Sequence, residues 1–109
     1  MENEQLIHTS KAFIKWQSTD GELVHYNITH QIAVLALWYV VPETRYLQVV
    51  LRGCTRIDLP TKWSGCALNI TQMEQSRRFR IEDPALGILI ICSEASAIPH
   101  KEKFWRDLQ

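Results

Sequence analysis

Apolar and polar residues alternate along several segments of the chain between residues 32 and 92. In Tyr46 to Gly53, every second residue is apolar: Leu47, Val49 and Leu51. A strand places successive side chains on opposite faces, so this spacing predicts a strand with one apolar face and one mixed face. Arg77 to Asp83 repeats the pattern more sharply, with Phe79 and Ile81 inward and charged residues between them. That pattern is typical of a half-buried antiparallel strand.

Two other segments are apolar on both faces and are expected to be central strands. They are Ile32 to Val41 and Leu86 to Cys92. In the first, Thr29 is a suitable cap for a helix running to Trp38, but the β-branched and aromatic residues favour a strand.

Shorter segments complete the predicted strands. The turn residues Ser18 to Gly21 predict a hairpin between two of them, because Asp-Gly readily adopts the conformations of tight turns. Pro60 to Gly65 is expected to be a loop. The remaining predicted strands are Lys11 to Gln17, Glu22 to Thr29, Arg56 to Leu59 and Cys66 to Thr71.

The pattern changes at the C-terminus, where Ala97 to Gln109 is predicted to be a helix. Pro99 fits a first helical turn, and Phe104, Trp105 and Leu108 share one helical face. This face either docks on an open face of the sheet or binds a partner.

These elements predict one domain over residues 1–109, since domains cluster at about 100 to 150 residues. The fold class expected is a β-dominated α+β domain. An antiparallel sheet of about seven or eight strands, curled as a half-barrel or folded as a sandwich, would carry a C-terminal helix. Closure or double layering is expected because one short helix cannot cover so many two-sided apolar strands.

Composition and charge narrow the class of protein. A hydrophobic fraction of 46% with 22% charged residues is ordinary for a globular domain. Lysine plus arginine equal aspartate plus glutamate at 12 each, which counts against a dedicated nucleic-acid binder. The formal net charge of zero weakens repulsion between copies and favours a homodimer.

The chain is expected to be cytoplasmic, with no membrane anchor. Its first residues do not resemble a signal peptide, and its longest apolar run is ten residues, whereas a membrane span needs about 20. Three widely spaced cysteines do not make a disulfide framework. They are expected to be buried free thiols, the alternative being one bridge between Cys54 and Cys66.

No catalytic, metal or cofactor motif is found. The four histidines lack ligand spacing, with no HxH, HxxxH or CxxC pair. Four scattered glycines cannot form a phosphate loop or a dinucleotide fingerprint. We therefore expect no catalytic residues, no metal and no cofactor.

Three places remain as candidate binding surfaces. Arg77, Arg78 and Arg80 form a basic cluster, and Arg52 and Arg56 add positive charge on a neighbouring segment. This patch either grips an acidic partner or a phosphate backbone, or belongs to an ordinary charged face. Trp63 is either a plug at one end of the core or an exposed anchor, a role for which tryptophan is enriched. Phe104 and Trp105 lie on the predicted terminal helix.

One resemblance to a known family covers residues 45–93. The succession YLQVVLRGCTRIDL, ALNI, RFRIED and GILIIC resembles the strand order of small bacterial immunity proteins of toxin systems. The residues that carry it are Cys54, Ile57, Leu68, Ile70, Phe79, Ile81, Gly87, Ile88 and Cys92. The resemblance implies a β-rich fold and a role in binding a partner protein.

The leading hypothesis is therefore a non-enzymatic protein-interaction module of accessory or immunity type. It predicts a flat or aromatic surface patch. The alternative is a small-molecule binder or unusual hydrolase with a cavity in a curved sheet, lined by at least two of His25, His30, Tyr39 and Asp58.

Overall fold

A computed structural model describes residues 4–39, 43–74 and 76–104. They form one α-helix, α1 (Glu4–Lys15), one short 3-10 turn (Pro84–Leu86) and nine strands. The strands are β1 (Thr19–Asn27), β2 (Ile32–Tyr39), β3 (Arg45–Arg52), β4 (Arg56–Asp58), β5 (Lys62–Cys66), β6 (Asn69–Gln72), β7 (Phe79–Asp83), β8 (Ile88–Cys92) and β9 (Glu94–His100).

The strands form two antiparallel sheets. The five-stranded sheet has the order β5-β1-β2-β3-β9, and the four-stranded sheet has the order β4-β8-β7-β6. The β-dominated fold with one helix is thus confirmed. The nine strands divide into two open sheets, where the sequence predicted about seven or eight strands in a sheet curled as a half-barrel or folded as a sandwich.

The two strands predicted to be central lie in the interior of the sheets. β2 is the middle strand of its sheet, and its residues 33–37 are all buried. β8 lies between β4 and β7; Ile88, Ile90 and Cys92 are buried, while Leu89 and Ile91 are half-buried. The strand prediction for the segment starting at Ile32 is confirmed, although residues 40–42 lie outside the described residues.

One hydrophobic core is shared by both sheets. β2 and β3 contribute Leu35, Leu37, Leu47, Val49 and Leu51, and β7 and β8 contribute Phe79, Ile81, Ile88 and Ile90. Phe13 and Trp16, from α1 and the turn after it, join the same core. Cys54, Cys66 and Cys92 are buried free thiols, so the predicted structural role fits them and the Cys54–Cys66 bridge does not form.

The predicted strand from Lys11 to Gln17 is wrong, because this segment belongs mostly to α1. Thr9, Phe13 and Trp16 are buried at intervals of four and three residues, which is the period of a helix. Ile14 is 71% exposed, although a strand would have placed it beside Trp16.

Helix α1 covers the edge of strand β9 with polar side chains. Gln5 accepts a hydrogen bond from the Ala95 amide, Thr9 donates to the Ala95 carbonyl, and the His8 ring lies 3.1 Å from the Ala97 carbonyl oxygen. An exposed strand edge is a template for unwanted pairing. Helix α1 supplies hydrogen-bond partners for backbone groups of Ala95 and Ala97 at this edge.

The predicted C-terminal helix is also wrong. Residues 97–100 belong to β9, which pairs with β3 along its whole length, and residues 101–104 are not helical. The small Ala95 and Ala97 fit against the core, and Pro99 is tolerated because β9 is an edge strand. Residues 105–109 lie outside the described residues.

Two further predictions are wrong. The Asp-Gly dipeptide does not form a hairpin turn, and most of the predicted loop from Pro60 to Gly65 is a strand. Gly21 lies inside β1, and the β1–β2 connection comes later, at residues 28–31. Residues 62–66 form β5, which pairs with β1 so that Gly21 lies opposite Trp63. A local turn signal is overridden here by a contact between strands.

Candidate functional site

Two of the arginines singled out by sequence are ion-paired on the outer face of the four-stranded sheet. Arg80 lies 3.2 Å from Glu82 on β7, and Arg56 lies 2.7 Å from Asp58 on β4. The register aligns both arginines with Ile91 of β8, which lies between them. This face therefore carries balanced charge around an apolar strand, as the ordinary charged-face interpretation expects.

The other two arginines of the predicted basic cluster separate from it. Arg78 donates hydrogen bonds of 3.4 Å to the Gly53 carbonyl and to the Thr55 hydroxyl. It thereby fixes the segment in which the chain passes from one sheet to the other. Arg77 is exposed. These arginines therefore do not form one continuous basic surface.

Trp63 lies in the core and not on the surface. Its side chain is 7% exposed and packs over Gly21, where a Cβ atom would lie only 2.5 Å from the indole Nε1. That Nε1 has no hydrogen-bond partner within the described part of the chain. These observations fit the plug interpretation of Trp63.

The outer face of the five-stranded sheet carries a row of apolar residues. On β2 and β3, the residues that point away from the core alternate with the core residues, and they pair across the two strands. We call them, together with Ile98 of β9, the outer apolar face: Ile32, Val34, Ala36, Trp38, Tyr46, Val50 and Ile98. Within it, Val34 and Ala36 are themselves buried by their neighbours, and the other residues are half-buried or exposed. Ile98 is 44% exposed on this face.

One end of the outer apolar face is aromatic. The register aligns Trp38, Tyr46 and His100 across three neighbouring strands. The His100 ring is 2.8 Å from the Gln48 amide oxygen, and its centroid lies 4.7 Å from the ring of Phe104. Phe104 is therefore the predicted site residue that the structure places next to this face.

Sequence reasoning did not identify the outer apolar face as a site. Its signal was present in the two-sided apolar character of Ile32 to Val41 and the mixed face of Tyr46 to Gly53. Which of the two faces is covered depends on where the second sheet packs, and the pattern of one strand does not contain that information. Trp105, the remaining predicted site residue, lies outside the described residues.

The four residues that the small-molecule or hydrolase alternative placed in a cavity do not lie together. His25 is exposed opposite Val34 on the five-stranded sheet, whereas Asp58 is exposed on the four-stranded sheet and paired with Arg56. His30 is exposed in the turn after β1, and the Tyr39 ring packs against Trp16. Among the described residues, no group of three His, Cys, Asp or Glu is placed to hold a metal.

The buried thiols are poorly suited to nucleophilic chemistry. Burial raises the pKa of the Cys54 thiol. Burial and, to a smaller extent, the neighbouring Cys54 raise the pKa of Cys92 to about 12, while Arg78 acts in the opposite direction. A thiol becomes a good nucleophile only when it ionises. Cys54 and Cys92 are therefore best described as core residues.

Comparison with known proteins finds no similar family, curated protein or solved structure. In the described ranges, no helix has both the length and the apolar character needed to cross a membrane. The evidence for the candidate site therefore comes from the geometry of its own residues.

Proposed function

We propose that this chain is a non-enzymatic protein-interaction module that self-associates through the outer apolar face. The observation that carries the proposal is the row of apolar residues on β2, β3 and β9, which points away from the core and ends in Trp38, Tyr46 and His100. Contiguous apolar patches with aromatic residues are typical of interfaces between proteins.

A second copy is the partner that the charges favour. The formal net charge is zero, which weakens the repulsion between two copies. Charged residues lie at the margin of the face, where the register pairs Arg52 with Glu94. An apolar centre with a charged rim is the usual arrangement of an interface.

The resemblance to immunity-type proteins over residues 45–93 supports an interaction role. The three buried free thiols support a cytoplasmic location, because such thiols are typical of a reducing compartment. Within this proposal, Phe104 extends the outer apolar face beyond β9 by its contact with His100.

The test is the oligomeric state over a wide range of protein concentration, measured by analytical ultracentrifugation. We expect a dimer for the native chain and a monomer for Ile98→Glu, which introduces a charge at the exposed apolar residue that β9 contributes to the face. Ile28→Glu is the matched control, because Ile28 is 76% exposed in the β1–β2 turn, outside the sheet. A native chain that stays monomeric at sub-millimolar concentration overturns the proposal, and so does a dimer that Ile98→Glu leaves intact.

A further inference from the structure

A groove of about 230 Å³ lies between helix α1 and the strands β3 and β9. Its wall on the helix side includes His8, Lys11 and Lys15, which are all exposed. Lys11 and Lys15 are four residues apart, so they project on the same side of the helix one turn apart. These two lysines give the helical side of the groove a basic rim.

The floor of the groove is apolar. Trp16, Leu47 and Ala97 line it and are buried, and Pro99 completes the wall on the side of β9. Trp16 is held in place by the Tyr39 ring, whose centroid lies 4.9 Å away. An apolar group entering the groove would therefore contact a preformed surface.

The basic rim is not neutralised by the described part of the chain. Among the described residues, no carboxylate lines the groove and no ion pair involves Lys11 or Lys15. Glu4, the acidic residue of α1, lies in the first turn, almost two turns from Lys11. The exposed ammonium groups of Lys11 and Lys15 are thus placed to pair with acidic groups of a ligand.

The size of the groove indicates what kind of ligand that is. Drug-sized ligands occupy pockets of about 300 to 1,000 Å³, so this groove is too small to enclose one. It has room for a single large side chain. An open groove with a small apolar floor and a charged rim suits one side chain of a peptide with charged neighbours.

We infer that this groove binds an acidic peptide segment of a partner protein, which inserts one apolar side chain between α1 and β9. The carboxylates flanking that side chain meet Lys11 and Lys15. The groove lies on the face of β9 that includes Ala97 and Pro99, opposite Ile98. It is thus independent of the outer apolar face.

The probes are blocked synthetic peptides in which Leu, Ile, Phe or Trp is flanked on each side by two acidic residues. Binding is followed by anisotropy of a labelled peptide and by NMR shifts in α1 and β9. We expect at least one peptide to bind, the Lys11→Gln, Lys15→Gln double variant to bind it at least about tenfold more weakly, and salt to weaken binding.

Lys62→Gln with Lys101→Gln is the matched control, because it removes the same charge from two exposed lysines elsewhere. It should retain native affinity for the peptide. Peptides whose acidic residues are replaced by amides, or whose central residue is Ser, should lose binding. Ala12→Leu, which narrows the groove, should weaken binding without changing either lysine.

The inference is overturned if no peptide of the series binds, or if both double variants bind equally well. It is also overturned if decanoate binds in the groove while every peptide fails, since the site would then take a small amphipathic carboxylate. Ile98→Glu should leave peptide binding unchanged. This variant separates a failure of the groove from a failure of the outer apolar face.

Discussion

Gly21 is required in β1 because the indole ring of Trp63 occupies the space of a side chain. A Cβ at this position would lie 2.5 to 2.7 Å from three ring atoms. Gly21→Ala is therefore expected to lower the free energy of unfolding by about 1 to 3 kcal/mol, the usual cost of overpacking. Urea denaturation followed by circular dichroism measures the loss.

The double variant Gly21→Ala, Trp63→Leu tests whether the indole ring causes that loss. With the ring removed, the added methyl group should cost clearly less than it does in the native background. An equal cost in both backgrounds would contradict the contact and would assign the loss to the backbone of β1.

Cys92 is expected to make stability depend on pH in alkaline solution. Burial, with a smaller effect of Cys54, raises its pKa from 9.0 to about 12 in the folded chain. Between these values the unfolded thiol ionises while the folded one stays protonated. The contribution of Cys92 to stability is thus fully present below pH 9.0 and is lost as the pH rises toward 12.

Urea midpoints measured below and above pH 9.0 test this expectation by comparing the native chain with Cys92→Ala. The variant should lose less stability than the native chain as the pH rises. Ile90→Val, another core substitution in β8, is the control and should keep the native pH profile. Parallel profiles for all three proteins would show that Cys92 is not the titrating group.

Helix α1 is the element for which sequence and structure differ most. Phe13, Ile14 and Trp16 fit an alternating strand as well as a helix, and a window of seven residues does not separate the two periods. The helix becomes evident only when Thr9 is included and its hydrogen bond to β9 is known. That bond joins residues 86 positions apart, so no local pattern contains it.

Paired substitutions on α1 distinguish the helical arrangement from the strand. Phe13→Ala should cost about 3 to 5 kcal/mol, because Phe13 is 1% exposed in the core. Ile14→Ala should change stability by less than about 0.5 kcal/mol, because Ile14 is 71% exposed. Thermal and urea denaturation measure both. A larger loss for Ile14→Ala than for Phe13→Ala would contradict the orientation of the helix.

Most strands could be predicted because burial of one face imposes alternation, as at Leu47, Val49 and Leu51. The positions of Gly21, Trp63 and Pro99 could not be predicted, since each depends on a neighbouring strand that is remote in sequence. The candidate surfaces share this dependence. The groove beside α1 exists only because a helix that sequence did not predict packs on β9.

At the scale of the whole molecule, the shared core predicts that both sheets unfold together. The segment after β3 leads from one sheet into the other, and Arg78 fixes this crossing by its hydrogen bonds. Inward residues of both sheets belong to one hydrophobic cluster.

Leu35→Ala in the five-stranded sheet and Ile81→Ala in the four-stranded sheet should each lower the free energy of unfolding by about 2 to 5 kcal/mol. In a Trp105→Phe background, tryptophan fluorescence reports on the turn after α1 and on the five-stranded sheet, since Trp16, Trp38 and Trp63 lie there. Hydrogen exchange of the β7 and β8 amides reports on the other sheet. Each substitution should lower both measures of stability equally, as a two-state domain requires. If Ile81→Ala released the amides of β7 and β8 while the fluorescence transition kept its native midpoint, the two sheets would be separate folding units.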